Sequence, residues 1–331
     1  MKATGMKITV FGAGAIGGHV AMRLKRGGQD VSIIGRGAHL EAIRAKGLTL
    51  KAFDGTFNEK IRAETDANVL GPQDAVFVTL KAPSLPDLAA RIKPLLGPDT
   101  PVVFVINGLP WWYFHKEGGA LDGTHLPRLD PDDALWRAVG PERTIGGVVY
   151  SACFVPEPGV VFTEHADNRL ILGEPDGSVS ARGTALSAAL SAGGFPSFVS
   201  EKFRNEIWSK LMGNIVTGPM AVATGLPMKT MLEQPVLKDA AIRGMTEAAA
   251  IAAALGCTVS GDPVKRAEGA GKLAHRPSIL QDYDLGRPME IDAQGLVPLE
   301  VARKLGVATP TLDLLWGLAV ARAKAKGLYA G

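Results

Sequence analysis

The sequence predicts an α/β domain built on a doubly wound parallel sheet, followed by an all-helical domain. Short apolar stretches alternate with helical stretches between residues 7 and 106, as expected for parallel strands joined by crossover helices. Long stretches rich in Ala and Leu begin near residue 203 and continue to residue 325. Because 46% of the 331 residues are hydrophobic, the chain can bury a sizeable core in each of two domains.

The first predicted elements are a strand, a helix and a second strand in close succession. Residues Lys7–Gly12 (KITVFG) are a short, β-branched stretch that a glycine ends, which predicts a buried strand. A helix is predicted over Ala15–Arg26 and a strand over Asp30–Gly35. The next predicted elements are a helix near His39–Ala45, a hairpin of Leu48–Ala52 and Phe57–Ala63 around Asp54-Gly55, strands over Ala75–Leu80 and Pro101–Ile106, and a helix over Leu85–Ile92.

The alternation is interrupted over about residues 111–141, which are rich in Gly, Pro, Asp and aromatic residues. This composition predicts an insertion, a lid or an irregular loop. We place the first domain at residues 1–198, including this insertion, and the second at residues 199–331. The elements predicted after the insertion are strands over Thr144–Phe154, Val160–Glu164 and Arg169–Gly173, and helices over Ala181–Ala192, Phe203–Met220, Leu237–Leu255, Gln294–Lys304 and Thr311–Ala325.

Composition excludes several classes of function. The net charge is +3, and the basic residues form no dense run, so neither nucleic acid nor an anionic membrane is an expected partner. No segment approaches the ~20 apolar residues of a membrane span. Cys153 and Cys257 lie far apart in apolar surroundings, which favours a reducing cytoplasm over a disulfide framework. The six histidines lack metal-ligand spacing, so no metal is expected.

The turn after the first strand has the sequence GAGAIG, formed by Gly12, Ala13, Gly14, Ala15, Ile16 and Gly17. In such a strand-turn-helix unit the first glycine allows the sharp turn, the second lets the backbone approach a pyrophosphate, and the third lets the helix pack closely. The N–H groups at the positive helix end then face the phosphates. We therefore predict a Rossmann-type domain with these six residues as cofactor contacts. The alternative is a glycine-rich turn without a ligand.

The second predicted strand is followed by Arg36, where an NAD-specific site usually has an acidic residue for the ribose 2′-hydroxyl. A cation at this place suits the 2′-phosphate of NADP. Arg36 is therefore predicted to select NADP, and a solvated arginine is the alternative.

Several separate motifs resemble the ketopantoate reductase (2-dehydropantoate 2-reductase) family. They occur in the family's order over most of the chain, except at about residues 111–137. The motifs are GAGAIGG at Gly12–Gly18, IIGRGAHLEAIRAKGLTL at Ile33–Leu50, TLKA at Thr79–Ala82, INGL at Ile106–Leu109, IWSKLMGN at Ile207–Asn214 and RPSILQDYDLGRPMEID at Arg276–Asp292. Two of these motifs are more specific to the family than the glycine-rich turn: the helix motif with Lys and Asn, and the segment ending in Glu-Ile-Asp.

The resemblance assigns chemistry to Lys210 and Glu290. Lys210 matches the family's catalytic lysine, and an ammonium beside a carbonyl oxygen both stabilises negative charge and delivers a proton. Glu290 matches a glutamate that meets the nicotinamide end of the cofactor. Asn214 lies four residues after Lys210, on the same helix face, and matches an asparagine that holds the substrate. Ser278 matches a serine that binds substrate.

Lys81 and Asn107 follow two of the predicted sheet strands, and ligands bind outside the carboxyl ends of such strands. By resemblance, Asn107 contacts both cofactor and substrate, and Lys81 supports the charged site; a solvated Lys81 is the alternative. Ala152 matches a position whose backbone touches the cofactor. Since these residues come from both predicted domains, the active site is expected between them.

The sequence departs from the family pattern in three places. Gly218 stands where the family often has a second asparagine, and Met228 stands at a further polar position. Gln294-Gly295 replaces the usual Asn-Gly after Glu-Ile-Asp. The aromatic run Trp111–Phe114 either adds apolar surface near the cleft or packs the inserted loop.

The sequence thus predicts NADPH-dependent reduction of a 2-oxo acid to a 2-hydroxy acid, with ketopantoate as the leading substrate. A reductase of a more apolar 2-oxo acid is the first alternative, and a non-catalytic dinucleotide-sensing regulator is the second. A sensor needs no proton donor, so Lys210 with Glu290 argues against it. The expected partner is a small molecule, and a homodimer is compatible with the sequence.

Overall fold

The computed structural model describes residues 5–331, which form two compact units. The first unit contains the residues up to Ile106 and Trp111–Phe203. The second contains Asn107–Pro110 and Arg204–Gly331. The boundary predicted from the sequence after residue 198 thus lies a few residues before the one in the structure. The prediction also placed Asn107 in the first domain, whereas the structure groups it with the second unit.

Twelve strands occur within residues 5–331, all of them in the first unit. They are β1 (Lys7–Phe11), β2 (Asp30–Ile34), β3 (Leu48–Ala52), β4 (Gly55–Glu59), β5 (Arg62–Glu64), β6 (Ala75–Val78), β7 (Val102–Val105), β8 (Thr144–Tyr150), β9 (Cys153–Glu157), β10 (Val160–Thr163), β11 (Arg169–Gly173) and β12 (Ser197–Val199). The main sheet has the order β12-β11-β8-β7-β6-β1-β2-β5, and β4-β3-β10-β9 form a smaller sheet.

The centre of the main sheet is parallel, with Ile8 of β1 paired to Val31 on one side and to Ala75 on the other. Every residue of β6 and β7 is buried, which is why these strands are continuous apolar runs without alternation. Only β11 runs antiparallel to its neighbour β8. The predicted doubly wound fold is confirmed.

The predicted hairpin is correct in its first arm and turn and wrong in the extent of its second arm. Strand β4 pairs with β3 and ends at Glu59. The chain then leaves the small sheet, and β5 joins the edge of the main sheet with Ala63 beside Ile33. Burial explains the break: Ile61 and Ala63 are each only 5% exposed.

The aromatic run in the inserted segment is core. Trp111, Trp112, Tyr113 and Phe114 are each at most 1% exposed. Trp111 packs edge-on against Phe104 of β7, and Trp112 stacks on Phe203. Packing of the insertion is therefore the correct one of the two alternatives. The helices of this unit are α1 (Ala15–Arg26), α2 (Gly37–Lys46), α3 (Leu85–Arg91), α4 (Ala134–Ala138) and α5 (Ala181–Ala192).

The regular secondary structure of the second unit within residues 5–331 is all helical, as predicted. Its helices are α6 (Phe203–Thr224), α7 (Met228–Leu232), α8 (Pro235–Ala254), α9 (Pro263–Ala270), α10 (Ser278–Asp284), α11 (Val297–Lys304) and α12 (Pro310–Ala325). The helix predicted to begin at Gln294 begins instead at Val297, because a π-helical turn occupies Asp292–Leu296.

One tryptophan ties this π-helical turn to α6. Pro219 lies inside α6 and has no N–H, so it cannot bond the carbonyl of Ile215 one turn earlier. The Trp316 indole Nε1 of α12 donates to that carbonyl at 2.9 Å. The same indole lies against Gly295, where an added Cβ would be 2.3 Å from the ring. The spacing between α6 and the turn is therefore set by close contact on both sides.

Candidate active site

The glycine-rich turn has the backbone geometry that a dinucleotide site requires. Gly12 has φ +121°, which disfavours other residues, and a Cβ on Gly17 would lie 1.7 Å from the Gly12 carbonyl oxygen. Gly14 is exposed, and a Cβ built on it meets nothing within 4 Å. The Thr79 hydroxyl fixes the turn by donating to the Gly12 carbonyl at 2.8 Å. The first and third glycines are thus needed for packing, and the second borders open space at the start of α1, where a pyrophosphate fits.

Arg36 lies beside this turn. A Cβ on Gly35 would be 2.5 Å from the Cβ of Ala13, so the end of β2 packs directly on the turn. Arg36 follows as the exposed residue before α2. This placement fits the predicted contact with an adenosine 2′-phosphate.

Lys81 and Ala152 follow β6 and β8, whose carboxyl ends lie at the same sheet edge as that of β1. Lys81 is exposed, and Ala152 is partly buried. The Ala152 carbonyl accepts a hydrogen bond from the Glu164 N–H at 2.8 Å. Both residues are therefore at the edge where an α/β sheet binds ligands.

In the second unit, one hydrogen-bonded chain joins three of the predicted site residues. The Lys210 Nζ donates to Asn107 Oδ1 at 2.8 Å. Asn107 Nδ2 donates to Glu290 Oε2 at 3.1 Å. Lys210 and Asn107 are partly buried, and Glu290 is only 4% exposed. The amide thus lies between an ammonium that only donates and a carboxylate that accepts when ionised.

The backbone explains why Asn107 belongs to this unit. The Leu109 N–H donates to the Ala293 carbonyl at 2.8 Å. Gly108 has φ +84°, and a Cβ on it would lie 2.1 Å from the Ala293 carbonyl oxygen. Only glycine permits this approach, so the INGL motif is a turn that docks on the segment carrying Glu290.

The other two predicted substrate residues lie on two helices of the second unit, α6 and α10. Asn214 is partly buried on α6, one helical turn after Lys210. Ser278 is exposed and is the first residue of α10. Within residues 5–331, neither side chain takes part in the chain of hydrogen bonds from Lys210 to Glu290.

Sequence reasoning missed one member of this site. Gln294 was interpreted only as a departure from the family pattern, yet its Nε2 donates to Glu290 Oε2 at 3.0 Å. It is 2% exposed. The signal was its position four residues after Glu290, which places both side chains on one face of a helical turn.

The other two departures are apolar in the structure. A Cβ on Gly218 would lie 3.1 Å from Ile279 Cγ2, so this position packs against the start of α10. Met228 begins α7 and is 8% exposed. Both positions therefore present hydrocarbon where the resemblance leads one to expect polar groups.

Metal-ligating clusters and membrane-spanning helices were sought within residues 5–331. Among the side chains of residues 5–331, no group of three or more His, Cys, Asp or Glu is arranged to hold a metal ion. No helix in the same range is long and apolar enough to cross a bilayer.

A dinucleotide turn on a Rossmann sheet and a helical unit with a lysine–amide–carboxylate chain define the class of pyridine-nucleotide-dependent oxidoreductases.

Comparison with known proteins identifies the family within this class. A family model described as ketopantoate reductase PanE/ApbA matches residues 8–177, and the model of its C-terminal part matches residues 202–323. A 2-dehydropantoate 2-reductase of Mesorhizobium japonicum is 43% identical over 327 residues, which cover 98% of this chain and 100% of the relative. This chain belongs to the ketopantoate reductase family.

Solved structures agree with this assignment. A candidate ketopantoate reductase from Ralstonia solanacearum MolK2 is 37% identical, with a TM-score of 0.91 over 98% of this chain and 100% of that one. The 2-dehydropantoate 2-reductase of Geobacter metallireducens GS-15 is 28% identical, with a TM-score of 0.83 over 95% and 98% of the two chains. A D-mandelate dehydrogenase solved with NADH is 21% identical with a TM-score of 0.81, which is a likeness of fold.

Proposed function

We propose that this chain reduces ketopantoate to pantoate with NADPH. The observation that carries the proposal is the hydrogen-bonded chain from Lys210 through Asn107 to Glu290, because it orients an ammonium as a proton donor. The 43% identical 2-dehydropantoate 2-reductase supports the choice of substrate.

The residues of the first unit would hold the cofactor. The backbone at Gly12–Gly17 would bind the pyrophosphate, and the Arg36 guanidinium would pair with the 2′-phosphate of NADPH. Lys81 and the backbone of Ala152 would support the bound cofactor from the same sheet edge. When bound, the nicotinamide supplies the hydride.

Lys210 is the proposed acid of the reaction. Its ammonium has three N–H groups, and Asn107 accepts from one of them. A second N–H, directed at the substrate carbonyl oxygen, would stabilise the developing alkoxide and then transfer its proton to that oxygen. Asn107 would thereby fix the direction of the ammonium, and Glu290 would fix the direction of the Asn107 amide. Asn214 and Ser278 are proposed to hold the polar groups of the substrate.

A second candidate substrate class is favoured by the two apolar positions. Gly218 packs against Ile279, and Met228 is buried, so two of the expected polar contacts are replaced by hydrocarbon. Fewer hydrogen bonds to a substrate hydroxyl weaken selection for that hydroxyl. A reductase of a more apolar, unhydroxylated 2-oxo acid would have hydrocarbon at these two positions.

The test is the decay of NADPH absorbance with purified protein and a panel of 2-oxo acids. We expect turnover of ketopantoate, with a kcat/KM above that for branched 2-oxo acids that lack the hydroxyl. If an unhydroxylated 2-oxo acid is reduced fast and ketopantoate is not reduced at all, the second candidate is supported. Tight NADPH binding in a fluorescence titration, with no turnover of any acid, would instead indicate a dinucleotide-sensing regulator.

A further inference from the structure

Gln294 shares a carboxylate oxygen with a residue of the proposed site. Its Nε2 lies 3.0 Å from Glu290 Oε2, and Asn107 Nδ2 lies 3.1 Å from the same atom. Both Gln294 and Glu290 are more than nine-tenths buried. Two amide donors on one buried oxygen restrict the rotation of that carboxylate.

The direction of every bond in this chain is determined by chemistry. An ammonium only donates and an ionised carboxylate only accepts, so Asn107 must face Lys210 with its oxygen and Glu290 with its nitrogen. For the same reason Gln294 must face Glu290 with its nitrogen. If the carboxylate rotates away, the Asn107 amide loses one of the two partners that determine which of its ends faces Lys210.

The backbone around Gln294 is held as closely as its side chain. Gln294 is the middle residue of the π-helical turn Asp292–Leu296, and such turns occur frequently at functional sites. Gly295 packs against Trp316, and Ala293 accepts from Leu109, so the residues on both sides of Gln294 are fixed. The turn therefore aims the amide at Glu290 with little freedom.

We propose that Gln294 is a positioning residue for the reduction: it holds the Glu290 carboxylate so that Asn107 presents its oxygen to Lys210. The inference rests on the proposed function, because it assigns Lys210 as the acid. It gives the departure from the usual asparagine a consequence: an asparagine side chain is one C–C bond shorter, about 1.5 Å, so its amide would lie farther from Glu290 Oε2 from the same backbone position.

The first test replaces Gln294 by Met, which keeps the side-chain volume and removes the donor. We expect kcat with ketopantoate and NADPH to fall roughly 10- to 100-fold, since a small misplacement of reacting groups costs up to about that factor. The KM for NADPH and the midpoint of thermal unfolding should stay close to the wild-type values, because volume is conserved. Gln73→Met is the matched control: Gln73 is a 9% exposed glutamine whose Nε2 donates to the Gly71 carbonyl in the first unit.

The second test replaces Gln294 by Glu and follows kcat against pH. Hydrogen bonds connect this position to two charged groups, Glu290 directly and Lys210 through Asn107. When both carboxylates are ionised they repel each other, and at lower pH one shared proton restores a donor at position 294. The ratio of variant to wild-type kcat should therefore rise as pH falls from about 8 to about 5. A residue with only a structural role gives a ratio that does not change with pH.

A third measurement needs no turnover. In Gln294→Met the Glu290 carboxylate loses the donor that holds it, so it accepts less firmly from Asn107. The side-chain amide protons of Asn107 should therefore exchange with solvent at least about tenfold faster in this variant than in wild type or Gln73→Met. If these protons exchange equally in all three proteins, or if Gln294→Met keeps wild-type kcat, the inference is wrong. If wild type reduces no 2-oxo acid, the proposed function fails, and the exchange rates still decide whether Gln294 positions Asn107.

Discussion

Each unit of the molecule contains a network of hydrogen-bonded polar side chains, and the two networks end differently. In the first unit, Arg23 pairs with Asp54 through two hydrogen bonds of 2.6 and 2.7 Å and donates its Nε–H to His19. His19 Nδ1 lies 3.0 Å from the Ser151 hydroxyl. In the second unit, the network runs from Gln294 through Glu290 and Asn107 to the Lys210 ammonium.

The first network neutralises its own charge. Burial, followed by the charge of Arg23, lowers the pKa of His19 from 6.5 to about 3. The imidazole is therefore neutral, accepts from Arg23 at Nε2 and carries its proton on Nδ1, facing Ser151. Hydrogen bonding to Arg23 also lowers the pKa of Asp54. With its cation paired by a carboxylate, this network ties α1 to the β3–β4 turn and to the end of β8.

The second network connects its cation to an amide. Lys210 donates to the amide oxygen of Asn107, and the Glu290 carboxylate accepts from the nitrogen of the same amide. From this comparison we expect the first network, which contains a direct ion pair, to serve stability, and the second, in which an amide joins Lys210 to Glu290, to serve the proposed reaction. Breaking the first network should cost folding free energy, and breaking the second should cost turnover.

The largest expected effect is on Lys210. Removing a positioned acid costs roughly 10²–10⁴ in rate, so Lys210→Ala should lose single-turnover reduction by about that factor. It should bind NADPH nearly as well as wild type, because the glycine turn proposed to hold the phosphates is in the other unit. The exposed Lys202→Ala is the control. If Lys210→Ala keeps more than about a tenth of wild-type turnover, Lys210 is not the acid and Lys81 is the next candidate.

The next effect is the pH dependence of stability through His19. The pKa of His19 in the folded protein is below its ordinary value of 6.5. The contribution of neutral His19 to the free energy of unfolding is therefore fully present above pH 6.5 and is lost as pH falls toward 3. Between pH 6.5 and 4.5 this amounts to roughly 2–3 kcal/mol. Urea unfolding of wild type and His19→Gln at these pH values isolates it, since Asp54 shifts both proteins alike. Equal losses of unfolding free energy in the two proteins would contradict the assignment.

Arg36 tests whether the first unit also uses an exposed cation for recognition. A charge-assisted contact is worth roughly 1.5–3 kcal/mol, so wild type should prefer NADPH to NADH by roughly 10- to 150-fold. Arg36→Ala should lose most of that preference while keeping its affinity for NADH. Dissociation constants for both cofactors decide this, and equal affinities in wild type would rule it out.

The smallest expected effect is that of Asp54→Ala. The Asp54 side chain is half exposed, so solvent screening reduces what its pair with Arg23 contributes to about 1 kcal/mol. The free energy of unfolding should fall by that amount, and kcat should not change. A loss of turnover without a loss of stability would mean that the two networks do not divide their roles as the comparison suggests.

Local patterns were sufficient for the sheet, the helical second unit and the glycine turn. Gly12, Gly14 and Gly17 lie within six residues, and their roles depend on the backbone of that same turn. The alternation of strands and helices is likewise encoded by periodicity within each element. Lys210 and Glu290 were found through motifs, and their roles in the reaction stay predictions.

Only the tertiary structure decided how the site is connected. Asn107 meets Lys210 across 103 residues of sequence and Glu290 across 183, and no local periodicity encodes such pairs. Asn107 belongs to the second unit because Gly108 docks on Ala293. The four-residue spacing between Glu290 and Gln294 is a local signal, whereas sequence periodicity did not show the π-helical turn that holds Gln294. Burial decided the rest: Trp111–Phe114 and Ala63 have the positions that remove their apolar surface from water, which depends on neighbours distant in sequence.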